Sequence, residues 1–311
     1  VLFRSRIGVI DLGTNTFNLL VTEIIGNNQT TLLNEKIPVK LGQGGLDKKI
    51  ISEEAINRGI EALKTYKKTL EDLNVKRYYA FATSGIRSTT NGPDFVKKIK
   101  SELDIDINVI SGDEEAELIY LGVQEAMIMP QENVLVIDIG GGSTEFIIGN
   151  KEKILWKKSF QLGVSRIKEN LKPSDPIKHS EIAIFHGLLK KELQPLFSAL
   201  EQYPTSTLIG SSGSFDSFAE MIAHRDNSID VLEANTALPL AIDDILNLNL
   251  NLVKSTYQER LKIPGLVKMR ADMIVLAGLF IEYIIKKTGT TQVYLSKHAL
   301  KEGALARIIK K

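Results

Sequence analysis

Two short stretches carry residue types suited to gripping an anion. Ile7-Gly-Val-Ile-Asp-Leu-Gly-Thr-Asn-Thr16 and Val134-Leu-Val-Ile-Asp-Ile-Gly-Gly-Gly-Ser143 each end an apolar, β-branched run at an aspartate and then turn at glycine. The aspartates, Asp11 and Asp138, lie 127 residues apart. A carboxylate at the end of a buried strand needs backbone donors, a cation or solvent. Gly13 in one copy and Gly140, Gly141 and Gly142 in the other let main-chain N–H groups approach an anion closely. Thr14, Asn15, Thr16, Ser143 and Thr144 add hydroxyls and an amide. One such copy is explained by an ordinary hairpin turn; two at equivalent positions point to a site. Gly210-Ser-Ser-Gly-Ser214 lies between a strand pattern and a helix pattern, which makes Gly210, Ser211, Ser212 and Gly213 a second candidate anion cradle. Ala82-Thr-Ser-Gly-Ile-Arg87 holds the matching place in the first half, with Ser84 aligned to Ser211, and Arg87 adds a guanidinium suited to bidentate phosphate contact.

Ile110-Ser-Gly-Asp-Glu-Glu-Ala-Glu-Leu-Ile119 concentrates acids at the start of a helical pattern. Ser111 and Glu114 fit a capping box, and Asp113 suits the helix dipole. Glu117 belongs to the polar side with Gln124. Glu115 is different, because Leu118, Ile119 and Gly122 follow it at helical spacing, so it heads the apolar stripe. Burial there would raise its pKa, as a general base taking a proton from water requires. Other chemistries lack their residues. His179, His186, His224 and His298 show no metal-ligand spacing, and neither a P-loop nor a Gly-x-Ser-x-Gly elbow occurs.

The elements that must hold these residues repeat. Besides the two hairpins and the two small-residue loops, Ala55-Ile-Asn-Arg-Gly-Ile60 matches Ala183-Ile-Phe-His-Gly-Leu188 at a spacing of 128. Each half reads as a hairpin, a helix (55–73; 182–200) and a strand (78–82; 207–209) running into a loop. Further helices are expected at 114–127, 242–254, 270–287 and 298–310. The fold class is α/β, built from two duplicated domains facing an interdomain cleft. Breaks near Met129-Pro130-Gln131 and just before the last helix divide the chain into domain I, residues 6–126 plus 297–311, and domain II, residues 127–296. Residues 1–5 lack an initiator methionine and are set aside as a scar outside the fold.

At 311 residues the chain can bury a large core. Its net charge of +1 provides no long-range field for nucleic acid or an anionic membrane, so neither is an expected partner. The longest apolar run, residues 273–281, is about half of a membrane span. The absence of cysteine removes disulfide, thiolate-metal and cysteine-nucleophile chemistry and fits a reducing cytoplasm. The basic runs at 97–100 and 310–311 read as solvated helix faces and ends.

With these residues in view, the chain resembles the exopolyphosphatase / guanosine pentaphosphate phosphohydrolase (Ppx/GppA) family, within the actin, hexokinase and Hsp70-like superfamily. The resemblance runs through Ile10-Asp-Leu-Gly-Thr-Asn-Thr-Phe17, Leu41-Gly-Gln-Gly44, the Arg87 and Glu115 stretches, Val136-Ile-Asp-Ile-Gly-Gly-Gly-Ser-Thr-Glu145, Leu162-Gly-Val-Ser-Arg166, Gly210-Ser-Ser-Gly213 and Arg270-Ala-Asp272. It implies two ribonuclease-H-like (actin-like ATPase) domains closing on a phosphate chain, with water attacking the terminal phosphorus. By that resemblance Glu115 is the general base, with Asp138 and Glu145 as the other catalytic groups. Mg²⁺ is the expected cofactor, with Asp138, Glu145 and Asp11 as metal ligands. Asp11, Gly13, Thr14, Asn15, Arg87, the residues 140–144 and the residues 210–213 would hold phosphates, and Ser84, Arg166 and Arg270 would contact substrate. The implied substrate is inorganic polyphosphate, with guanosine pentaphosphate (pppGpp) as the alternative and a non-hydrolytic sensor as a reading of another class. A homodimer is an expected assembly. The chain departs from the family pattern at Asn18, where many members carry a basic residue. It also departs at Lys297, Ala299 and Lys301, which stand for Asp, Gly and Arg, and at Gly45, an extra glycine.

Overall fold

A computed structural model describes residues 4–26, 28–45 and 47–310. Of the stretches named above, residues 1–3, Asn27, Leu46 and Lys311 lie outside these. The first half runs β1 (Arg4–Leu12), β2 (Thr16–Ile25), β3 (Asn28–Pro38), α1 (Glu53–Asp72), β4 (Arg77–Ala82), α2 (Ser84–Arg87), α3 (Gly92–Leu103), β5 (Ile107–Val109) and α4 (Gly112–Ala126). The second opens with β6 (Val134–Ile139), β7 (Thr144–Gly149), β8 (Ile154–Phe160), α5 (Val164–Leu171), α6 (His179–Glu192), α7 (Gln194–Gln202), β9 (Thr207–Ser211) and α8 (Ser212–Arg225). It continues with α9 (Ile229–Ala234), β10 (Ala237–Leu240), α10 (Ile242–Lys254), α11 (Tyr257–Arg260), α12 (Ile274–Thr288), β11 (Gln292–Ser296) and α13 (Leu300–Ile309).

The first sheet has the order β3-β2-β1-β4-β5, with β2 antiparallel to its neighbours and β1, β4 and β5 parallel. The second repeats that plan as β8-β7-β6-β9-β11 and adds β10 antiparallel on the outer edge. The duplication inferred from the hairpins is therefore a duplication of sheet topology, of ribonuclease-H-like type. Both first strands are buried on both faces, which explains their unbroken apolar runs. Ile10 and Leu12 point to α1 and α3, and Ile137 and Ile139 point to the outer helices of the second half. From their other faces Ile7, Val9, Val134 and Val136 join a third apolar cluster with α4 and α13, which lie between the sheets.

The crossing of α4 and α13 is close because both helices present glycine. A Cβ at Gly303 would strike the Leu118 carbonyl, and one at Gly122 would strike the Ala299 carbonyl. Ser111 caps α4, its Oγ accepting from Glu114 N at 3.1 Å. The reciprocal half of the expected capping box is absent, because the Glu114 carboxylate instead takes Arg307 of α13 at 2.7 Å.

Several expectations shift. Arg4 and Ser5 belong to β1, paired with Ile25 and Ile24, so the excluded leader enters the fold by at least two residues. The helix expected over 182–200 breaks at Leu193, where Pro195 begins a new helix, and the one expected from 270 starts at Ile274 after a run of turns. The small-residue loops align three residues away from the sequence match. Asp11 pairs with Phe81 while Asp138 pairs with Ser211, an offset of 130 in place of 127, so Ser84 is not the counterpart of Ser211. The third match differs in burial: Ala55 and Gly59 are buried on α1, whereas Ala183 and Gly187 are exposed on α6. Among the described residues no helix is long and apolar enough to cross a membrane.

Gly303→Val should force α4 and α13 apart and cost about 1–3 kcal/mol, the usual range for overpacking. Chemical denaturation reads this as a lowered midpoint, and an unchanged midpoint would contradict the tight crossing.

Candidate active site

The strand ends β1, β4, β6 and β9, together with the first turns of α4, α8 and α13, enclose a cavity of about 140 Å³ between the two halves. Both hairpins turn into it. Gly13 N donates to Thr16 O at 3.1 Å and Gly140 N donates to Ser143 O at 3.0 Å, the same bond in each copy. A Cβ at either glycine would sit 2.9 Å from that same carbonyl, so the turn requires glycine twice over. The second hairpin is fixed further by α5, whose first amides, Val164 N and Ser165 N, donate to Gly140 O and Gly141 O at 3.0 Å. Across the cleft the hairpins touch: Gly141 meets the Asn15 side chain, and Gly142 meets the hydroxyls of Thr14 and Ser84. Asn15 is also bound from the second half, by Ser165 Oγ at 2.8 Å.

Five carboxylates line this space; Asp216 is met by Lys36, and the other four each have a different support. Asp11 stands opposite Asn18 in the β1–β2 ladder and accepts from its Nδ2 at 2.9 Å. Asp138 stands opposite Glu145 in the β6–β7 ladder, so the equivalent pair in the second hairpin is two like charges. Asp138 Oδ2 accepts from Ser211 Oγ at 3.0 Å and Ser212 Oγ at 2.5 Å, and Glu145 accepts from Ser159 Oγ at 2.6 Å. Ser212 holds a left-handed backbone (φ 64°) to make its bond, the kind of strain stored at functional sites. Glu115 Oε2 takes Arg87 Nη1 at 2.8 Å, and the same nitrogen donates to Ile110 O at 2.9 Å.

Burial lifts the pKa of all four. Asp11 rises to about 7 against the opposing pull of Lys301 and the Asn18 bond. Glu145 rises to about 7 through burial and then the Asp138 charge. Asp138 rises through burial despite its serine donors. Glu115 rises well above the usual range through burial and the Glu145 charge, against Arg87. Among the described residues no three acidic or imidazole side chains form a ready cation cage. Two carboxylates directly opposite one another beside open space are nonetheless the sparse oxygen set that Mg²⁺ takes with waters and phosphate oxygens.

Cations complete the wall. Arg270 is half-buried with its guanidinium packed on Gly213, and that guanidinium has no hydrogen-bond or ion-pair partner among the described residues. Lys301 is buried beside Glu302 at 2.9 Å; burial works against its charge, and Glu302, Asp11 and Asp216 outweigh that and hold its pKa above the usual value. Lys36 reaches across the cleft to Asp216 at 3.4 Å. Ser84 Oγ is buried and unpartnered on the cavity wall.

Of the sequence-selected residues, Glu115, Asp138, Glu145, Asp11, Gly13, Thr14, Asn15, Gly140, Gly141, Gly142, Ser143, Ser212, Gly213, Ser84 and Arg270 line the cavity. Ser211 stands behind Asp138. Thr144 does not reach the cavity, since its hydroxyl is buried on Leu162 O. Gly210 lies under the Phe215 ring, where any Cβ would collide, so it serves packing. Arg87 stands behind Glu115, and Arg166 is turned to Gly142 O and Ser88 Oγ at 2.9 Å each. Lys36, Asp216 and Ser159 escaped the sequence reading because only strand register and the α8 packing bring them to the site.

The model of the Ppx/GppA phosphatase family matches residues 20–311. An exopolyphosphatase crystal structure from Cytophaga hutchinsonii is similar over 98% of both chains, with 42% identity and a TM-score of 0.96. Among curated proteins, the bifunctional 3-dehydroquinate synthase/phosphatase of Fusobacterium nucleatum is 31% identical over 95% of this chain and 45% of its own length. The guanosine-5'-triphosphate,3'-diphosphate pyrophosphatase of Pseudoalteromonas atlantica is 28% identical over 95% of this chain and 57% of its own length. The chain thus spans about half the length of these curated relatives.

A carboxyl whose pKa is higher in the fold than in the unfolded chain lends stability that is complete below the unfolded value and lost as pH rises through the folded one. For Asp11 that window runs from 3.8 to about 7. In chelator, Asp11→Asn should therefore melt at a higher temperature than the parent at pH 8, with a smaller gain at pH 5. A gain of equal size at both values would contradict the buried-carboxylate account.

Proposed function

The chain belongs to the Ppx/GppA phosphatase family, and from that premise we propose that it hydrolyses the terminal phosphoanhydride bond of inorganic polyphosphate, releasing orthophosphate. The observation that carries this reading is the buried Glu115 carboxylate, which shares one small cavity with two glycine hairpins. Arg87 engages Glu115 Oε2 and leaves the other oxygen without a protein donor among the described residues, free to take a water proton. The water oxygen attacks the terminal phosphorus, its proton passes to Glu115, and the bond from phosphorus to the bridging oxygen breaks, the electron pair leaving with the shortened chain. The amides and hydroxyls of Thr14, Asn15, Gly141, Gly142 and Ser143 orient the phosphate, with Arg270 and Lys301 as counter-charges.

Asp138 and Glu145, with Asp11 opposite, are the residues that would hold Mg²⁺. Bound there, the ion would neutralise charge on the phosphate oxygens and relieve the like-charged pair. At about 140 Å³ the cavity is below the ~300–1,000 Å³ of pockets that enclose drug-sized ligands, a size that suits a terminal phosphate group.

Glu115→Gln should lower turnover of polyphosphate roughly a hundredfold or more while polyphosphate binding is kept. Unchanged phosphate release would remove Glu115 from the role of base, and faster release from guanosine pentaphosphate would reassign the substrate. Mg²⁺ should raise the melting temperature of the parent and fail to raise that of Asp138→Asn; equal shifts would place the ion elsewhere.

A further inference from the structure

Three carbonyls of the second hairpin are held from behind by α5. Gly140 O accepts from Val164 N at 3.0 Å, Gly141 O from Ser165 N at 3.0 Å and Arg166 N at 3.2 Å, and Gly142 O from Arg166 Nε at 2.9 Å. Gly163, just ahead of the helix, is pressed onto the same loop, since a Cβ there would strike the main chain of Gly141 and Gly142. A trans peptide sets its N–H opposite its C=O. With these carbonyls turned to α5, the amides of Gly141, Gly142 and Ser143 are turned away from it, and none has an acceptor among the described residues. All three residues line the cavity, and successive free amides of this kind form an anion nest.

The first hairpin is braced in the same way, with one difference. Thr14 O accepts from Gly42 N at 3.1 Å, and Asn15 O accepts from Val39 N at 3.0 Å and Lys40 N at 2.8 Å, so these braces are main-chain amides of its own half. Asn15 corresponds to Gly142 at the spacing of 127. At that equivalent carbonyl the second hairpin uses a guanidinium, whose other arm leaves the half it belongs to. Arg166 Nη2 donates across the cleft to Ser88 Oγ at 2.9 Å. Ser88 is itself fixed to α2, its Oγ donating to Ser84 O at 2.7 Å and its N to the same carbonyl at 3.0 Å. Arg166 is not among the residues that line the cavity, and both of these arms go to protein.

We propose that Arg166 is a positioning residue that assembles the phosphate nest: its Nε fixes the Gly142 carbonyl so that the Ser143 amide faces the cavity, and its Nη2 ties that orientation to α2 through Ser88. The assignment rests on the hydrolase reading above. It replaces the direct substrate contact that the family resemblance implies for Arg166. It also gives the second hairpin a property that the first lacks, because one of its three amides is aimed by a bond that spans both halves.

The test measures tripolyphosphate hydrolysis by Arg166→Met, Arg166→Lys and Ser88→Ala, with melting temperature as the check on folding. The KM of Arg166→Met should rise roughly tenfold, the scale of one hydrogen bond to a charged group, whereas a misfolded fraction would lower kcat and leave KM alone. Lysine keeps the charge without the two-armed fork, so Arg166→Lys should retain most of that rise. Ser88→Ala should raise KM about threefold alone and no further in the Arg166→Met background, because the two residues act through one bond. Restoration of the parent KM by lysine would make Arg166 a charge contact to substrate. An unchanged KM in Arg166→Met or Ser88→Ala, or an equal Ser88 effect in both backgrounds, would likewise overturn the brace. If Arg166→Met folds poorly, Arg166→Lys and Ser88→Ala carry the comparison. Failure of the parent to hydrolyse any phosphoanhydride would overturn the hydrolase reading instead. The dissociation constant of inorganic phosphate, read by calorimetry on the same variants, should rise by the same factors and would then decide the role of Arg166.

Discussion

Four carboxylates brought to one water-poor cleft set the terms for the rest of this molecule. Burial alone pushes each towards its protonated form, and Asp138 directly opposite Glu145 adds repulsion that Arg270 and Arg87 offset only in part. Such an arrangement persists only on a scaffold with stability to spare. That scaffold is the layered stack, in which two duplicated sheets sandwich α4 and α13 and the two first strands bury both faces. The cleft then distributes weak supports where strong ones would cancel the charge: serine hydroxyls on Asp138 and Glu145, an amide on Asp11, and one guanidinium on Glu115.

Duplication supplied the frame, and divergence supplied the chemistry. The two hairpins share their turn bond, their glycine and their aspartate. They differ at the position opposite the aspartate, where Asn18 in the first copy donates a hydrogen bond and Glu145 in the second contributes another negative charge. The first aspartate thereby faces an amide donor, while the second faces a like charge. Electrostatic asymmetry between equivalent loops gives the cleft a direction, which a symmetric pair of anion nests would lack.

What was legible in the sequence was whatever depends on neighbours along the chain. Asp11 and Asp138 in their turns, Glu115 at the head of an apolar stripe, and the 242–254 helix all follow from local spacing. What was hidden depends on register and packing. The offset of 130 between the small-residue loops arises from strand pairing, so a match of residue types at 127 placed Ser84 opposite the wrong partner. Gly210 looked like part of a phosphate loop, and only the Phe215 ring above it reveals a packing role. Glu114 satisfied a capping pattern, but an arginine from the distant α13 takes its carboxylate, pairing two charges where the cap amide offers none.

The departures from the family pattern are explained by the same distinction. Lys297 lines the cavity, but its ammonium is turned to the end of α9, donating to Leu232 O at 2.8 Å and Glu233 O at 3.3 Å. Lys301 keeps a cation beside Asp11, where the family pattern has arginine. Asn18 removes a basic group from the first hairpin, yet its partner across the β2–β3 ladder is Lys36, which lines the same cavity. Cross-strand partners project from the same face of a sheet, so a charge lost at one position can be carried by the residue opposite without moving the backbone. Positive charge at that edge of the cleft is therefore a property of the ladder, and a reading confined to position 18 would miss it.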